Sequence, residues 1–132
     1  MPDREIVNAE FETLSLRLHA EGWSDRVTVE RLIVEWKHLS SNVGSYPLTI
    51  DEYTNDLTAR DAIELVLGWA TDAVRSGIGD SIKEADAAFR AATFYDGGIA
   101  VGTFFRVDAE SGWWWRRRPT SGELGAYLDR VL

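Results

Sequence analysis

The chain has no cysteine, one methionine and only two histidines in 132 residues. Without cysteine there is no disulfide, no thiolate zinc site and no cysteine nucleophile. His19 and His38 fall on separate predicted helices without an i,i+4 partner, so neither a metal site nor a cofactor is expected. Long apolar runs are also missing, so no helical membrane span and no membrane partner is expected. The first residues, "MPDREIVNAEFE", are acidic and lack the charged-then-apolar pattern of an export signal; the expected localisation is cytoplasmic. The hydrolase elbow G-x-S-x-G does not occur. "GGIAVG" at 97–102 follows a predicted helix and lacks the Lys-Ser/Thr ending, so it is no phosphate loop.

What is present suits one domain, 1–132, with 45% hydrophobic and 27% charged residues. A chain this long can bury roughly two-thirds of its unfolded surface and needs no staples. The net charge of −8 is uneven: residues 1–96 carry 9 basic and 18 acidic side chains, residues 97–132 carry 5 and 4. An acidic body disfavours nucleic acid and favours a basic protein partner.

The apolar spacing predicts a helix from about Asp3 to Glu21, with Val7, Phe11, Leu14 and Leu18 on one face. A second follows at about 25–39, where Val29, Leu32, Ile33, Trp36 and Leu39 form a stripe and Ser24 or Thr28 offers a cap. "SSNVGSYP" reads as a loop. Thr49 and Glu52 match a capping box opening a short helix at about 50–57. Thr58 then suggests a new cap and a helix at about 59–75, ended by Gly77 and Gly79; its wide apolar arc marks it as the most buried helix. Ser81 and Glu84 suggest another helix at about 82–94, and Asp96-Gly97-Gly98 a turn.

Period two in "IAVGTFFRV", followed by "WWWRRR", predicts a β-hairpin over about 99–107 and 113–118. A short helix closes the chain. The expected fold class is therefore α+β: four to five helices, a C-terminal antiparallel hairpin and a terminal helix. Strand alternation would place Trp113 and Trp115 on the core side. It would place Phe104, Arg106, Trp114, Arg116 and Arg118 together on the opposite face, with cross-strand cation–π pairs. That face would either bind a ligand or nucleic acid, or be covered by the chain's own acidic helices.

Three segments, "YTNDLTARDAIE" at 53–64, "DAAFRAAT" at 86–93 and "WWWRRRP" at 113–119, resemble a set of small bacterial proteins in which D-x-x-F-R-x-x-T precedes W-W-x-R-x-P. The resemblance carries no activity. It implies an architectural link between Phe89, Arg90, Thr93 and the C-terminal segment.

Three functional readings follow. The first is a non-enzymatic protein-binding domain of the immunity or antitoxin type, meeting a basic partner through Asp51, Glu52 and Asp56. The second is a ligand- or nucleic-acid-binding module on the Phe104, Arg106, Trp114, Arg116, Arg118 face. The third is a small enzyme using buried carboxylates, Asp51, Glu52, Asp56 and Asp61 being the densest acidic stretch. Exposed tryptophan on the hairpin would also suit a homodimer contact.

Overall fold

The computed structural model describes residues 4–132, so Asp3, the expected start of the first helix, lies outside the described residues. Four long helices come first: α1 (Arg4–Ala20), α2 (Val29–Asn42), α3 (Ile50–Trp69) and α4 (Asp72–Ala91). Then follow β1 (Thr93–Tyr95), the short α5 (Ile99–Phe104), a 3-10 turn at Trp113–Arg116, β2 (Arg117–Pro119) and α6 (Gly122–Val131). The class is α+β, mostly helical, with a two-stranded antiparallel sheet before the terminal helix. No described helix is long and apolar enough to cross a membrane.

The α2 stripe faces inward as its spacing implies: Val29, Leu32, Trp36 and Leu39 are buried. Thr28 caps α2, its hydroxyl accepting from the Arg31 N–H at 3.2 Å. Thr49 does the same for the Glu52 N–H of α3 at 3.4 Å. α2 packs against both α3 and α4, so Trp36 sits at the centre of the core, its ring 4.9 Å from that of Phe89.

The middle of the chain divides differently from the spacing-based expectation. α3 runs unbroken through Thr58, whose hydroxyl donates back to the Asn55 carbonyl at 2.6 Å instead of capping a new helix. α3 does hold more buried residues than any other described helix. It ends at Trp69, not at Gly77, because Arg75 reaches back to the Leu67 and Ala70 carbonyls at 2.9 and 2.8 Å. Thr71 then caps α4 by accepting from the Val74 N–H. The Thr71 N–H and hydroxyl themselves donate to Glu10 of α1. Gly77, Gly79, Ser81 and Glu84 all fall inside α4. The weak helix propensity of the two glycines is overridden by the stripe Val74, Ile78, Ile82, Ala85 and Phe89, all buried against the core.

The strands are also displaced. β1 and β2 pair Thr93 with Pro119, Phe94 with Arg118 and Tyr95 with Arg117. Residues 99–104, expected as the first hairpin strand, are helical because Asp96 caps them. Its carboxylate accepts from the Gly98 and Ala100 N–H groups at 2.8 and 2.9 Å. The turn signal at 96–98 thus doubles as a helix start, and the alternation downstream of it is misleading. At the other end, α6 abuts residues 43–46. A Cβ on Gly122 (φ +81°) would lie 2.7 Å from the Ser45 carbonyl carbon, so this position combines a left-handed backbone with a close approach.

Candidate functional site

The segment "GWWWRRRP" forms one turn of 3-10 helix before β2, with successive side chains about 120° apart. The three tryptophans therefore splay to three environments. Trp113 lies edge-on to Phe89 at 5.9 Å and beneath the Arg90 guanidinium at 3.9 Å. Trp114, only 4% exposed, enters the core. Trp115 stays half-buried, and its indole N–H and that of Trp114 both donate to Asp61 Oδ1, each at 2.8 Å. Gly112 makes room for this arrangement: a Cβ there would lie 2.3 Å from the Trp114 ring.

Beneath Trp114 lies a buried charged cluster. The Arg60 guanidinium stacks on the Trp114 ring at 4.6 Å and forks onto Asp86, with Nε and Nη2 each 3.0 Å from a carboxylate oxygen. Asp86 also accepts from the Trp36 indole N–H at 2.9 Å, and Arg60 Nη1 reaches Glu64 at 2.7 Å. Burial alone would push the Arg60 guanidinium down, but the hydrogen bonds and charges of Asp86 and Glu64 outweigh it and the net shift is upward. Burial raises the Asp61 carboxyl, and the two indole donors and Arg60 pull it only part of the way back.

The remaining arginines of the segment are also held by the chain. Arg116 donates to the carbonyls of Asp108, Ser111 and Gly112, closing that loop. Arg117 donates to the Thr93 hydroxyl and to the Thr93 and Arg90 carbonyls. Arg118, 6% exposed, meets Asp129 at 2.6 Å and stacks on Phe94 at 5.0 Å. Phe89, Arg90 and Thr93 do contact the C-terminal segment, the first two at Trp113 and the third at Arg117. The five residues expected on one ligand-binding face are separated. Trp114 and Arg118 are buried, Arg116 is half-buried, and Phe104 and the largely solvated Arg106 lie on and after α5. Alternation failed here because a 3-10 turn, unlike a strand, does not divide its side chains between two faces.

A wide opening lies elsewhere. A trough of about 690 Å³ runs between α2 and α3, with Trp23, Val27, Pro47 and Leu48 also lining it. Buried Leu39 and Tyr46 line its interior, and exposed Val34 and Leu48 its rim. Asp56 lines the same opening, one helical turn beyond Glu52; its Oδ2 accepts from the Tyr46 hydroxyl at 2.6 Å. Burial first, then the Asp56 hydrogen bond and the charges of Asp56 and Glu52, push the Tyr46 hydroxyl up, so it remains a donor. Asp51 and Glu52 are exposed in the first turn of α3, and among the described residues no ion pair reaches either. Asp61 is not in a helix's first turn, as the expected break at Thr58 implied, but mid-helix and bonded to tryptophan. The four carboxylates weighed as an acid/base group therefore do not converge. Sequence reasoning missed the trough; its one legible signal is Val34, apolar but off the α2 core stripe.

His19 donates from Nε2 to the Val27 carbonyl at 2.7 Å, and His38 lines the trough. Among the described residues no group of three or more His, Cys, Asp or Glu side chains could hold a metal ion. Comparison with protein-family models, with curated proteins and with solved structures finds no match, so the reading of this site rests on its own geometry.

Proposed function

We propose that the chain is a non-enzymatic protein-binding domain of the immunity or antitoxin type, which meets a basic partner through Asp51, Glu52 and Asp56. The observation that carries this reading is the placement of charge. Arg60, Arg116, Arg117 and Arg118 are turned inward onto the chain's own carboxylates and carbonyls, whereas Asp51 and Glu52 are exposed on the helix whose Asp56 lines the trough. The chain as a whole carries a net charge of −8, which speeds encounter with a basic protein and discourages binding to nucleic acid. Arg116 and Arg118, which would have served a nucleic-acid interface, are occupied by the chain itself, which weakens the module reading.

The test is complex formation with a basic protein encoded in the neighbouring open reading frame, followed by calorimetry across a salt series. Tight association that weakens steeply with salt supports the reading. The combined variant Asp51→Lys, Glu52→Lys, Asp56→Lys should lower the association rate at least tenfold. If no neighbouring product binds, or if binding ignores salt and these charges, the reading fails.

A further inference from the structure

The trough between α2 and α3 shows what form a partner would take there. It opens to solvent at Val34 and Leu48, which are 66% and 45% exposed, so it is a trough and not a closed cavity. On α2 the lining runs from Leu32 to Asn42, about 15 Å at 1.5 Å per residue, or nearly three turns of an opposing helix. Two apolar residues flanking one concave surface are unlike isolated exposed ones, which need no explanation.

Charge selects among helices. Among the described residues lining the trough there is no lysine or arginine, and the two carboxylates are Glu35 and Asp56. Glu35 is engaged by Arg31 on its own helix at 2.9 Å. Asp56 has only a neutral donor, the Tyr46 hydroxyl on Oδ2. That hydrogen bond fixes the carboxylate's orientation and leaves Oδ1 able to accept from a cation.

We propose that this trough is the docking site for an amphipathic helix of the partner, with apolar anchors seated between Val34, Leu39, Tyr46 and Leu48 and a lysine or arginine on Asp56. The proposal rests on the protein-binding reading above and adds the partner's secondary structure and its contact. Apolar anchors at helical spacing supply affinity in such grooves, and the charged rim sets direction and register.

The experiment titrates the 15N-labelled full chain with an 18-residue helical peptide bearing leucines on one face and lysines on the other. A second peptide replaces every lysine with glutamate, and 4-phenylbutylamine serves as a small apolar cation. The lysine peptide should shift amides around Val34, His38, Tyr46, Leu48 and Asp56, and bind at least tenfold more tightly than the glutamate peptide. Leu48→Asp should weaken it at least tenfold. Asp56→Asn should weaken it about fivefold while the spectrum stays dispersed. Lysine-peptide shifts confined to another acidic surface, such as that of Asp80 and Glu84, would overturn the trough as the site while leaving the basic-partner reading intact. Equal binding of both peptides in the trough would overturn the role of Asp56. Saturation by the amine without peptide binding would overturn the helical occupant.

Discussion

The tryptophan–arginine region and the α2/α3 trough invert each other. In the first, charge is inside: Arg60 and Arg118 are 5% and 6% exposed, and both find carboxylates. In the second, apolar side chains face solvent and the carboxylates stand at the rim. Residues that look chemical in the sequence thus hold the fold together, and ordinary-looking ones line the opening. The difference lies in whether the chain supplies partners. A buried guanidinium needs them to offset its desolvation, while an exposed valine needs none.

The sharpest way to break this comparison is at Asp86. Asp86→Ala removes the buried carboxylate on which the Arg60 guanidinium forks, leaving the exposed Glu64 as its ion-pair partner, and strands the Trp36 indole N–H. A loss of about 3–5 kcal/mol is expected in urea unfolding. Arg60→Ala should cost nearly as much, and the double variant much less than the sum. A cost below about 1 kcal/mol for Asp86→Ala would show that the cluster does not support the fold.

Gly112→Ala comes next. The new methyl would enter the Trp114 ring, which is buried and stacked with Arg60. The expected loss is about 1–3 kcal/mol, with a changed near-UV tryptophan signal. An unchanged near-UV spectrum would mean that the ring does not lie on this glycine.

Asp61 separates hydrogen bonding from charge. Asp61→Ala leaves two indole donors unpartnered and should cost about 1–3 kcal/mol, whereas Asp61→Asn keeps an acceptor and should cost less. The folded-state carboxyl lies above its ordinary value of 3.8, so the folded chain binds the proton more tightly than the unfolded one. Its contribution to stability is therefore most favourable at low pH and falls as pH rises from 3.8 through the folded value. Asp61→Asn lacks this dependence, so its stability relative to the parent should improve across that window and then level off. Parallel unfolding profiles from pH 3 to 7 would contradict the burial of Asp61.

How far this was legible varies with the element. Amphipathic periodicity located α1, α2 and α6, and the Thr49 box located the start of α3, because the signals are local. The Thr58 and Ser81 boxes misled because a cap sequence is only permissive: the α4 stripe from Val74 to Phe89 runs straight through Ser81. The boundary at Ala70 depends on Arg75 folding back and Glu10 reaching Thr71 from 61 residues away, neither of which leaves a periodic trace. Asp51, Glu52 and Asp56 were legible as an acidic stretch. Their neighbourhood to Val34 and Leu48 was not, because it exists only once α2 and α3 are packed.

The smallest stability effect is expected where the proposed function is concentrated. Val34→Ser and Leu48→Ser remove apolar surface that is already 66% and 45% exposed, so each should change stability by no more than about 0.5 kcal/mol. The same substitutions should weaken a docked helix severalfold, since the lost contacts are made only in the complex. Asp86→Ala should show the opposite pattern: a large loss of stability and little effect on docking per folded molecule. A Val34→Ser cost above about 1 kcal/mol would make the rim part of the core. The two regions would then differ in degree of exposure alone, and the trough would lose its claim to be kept apolar for a partner.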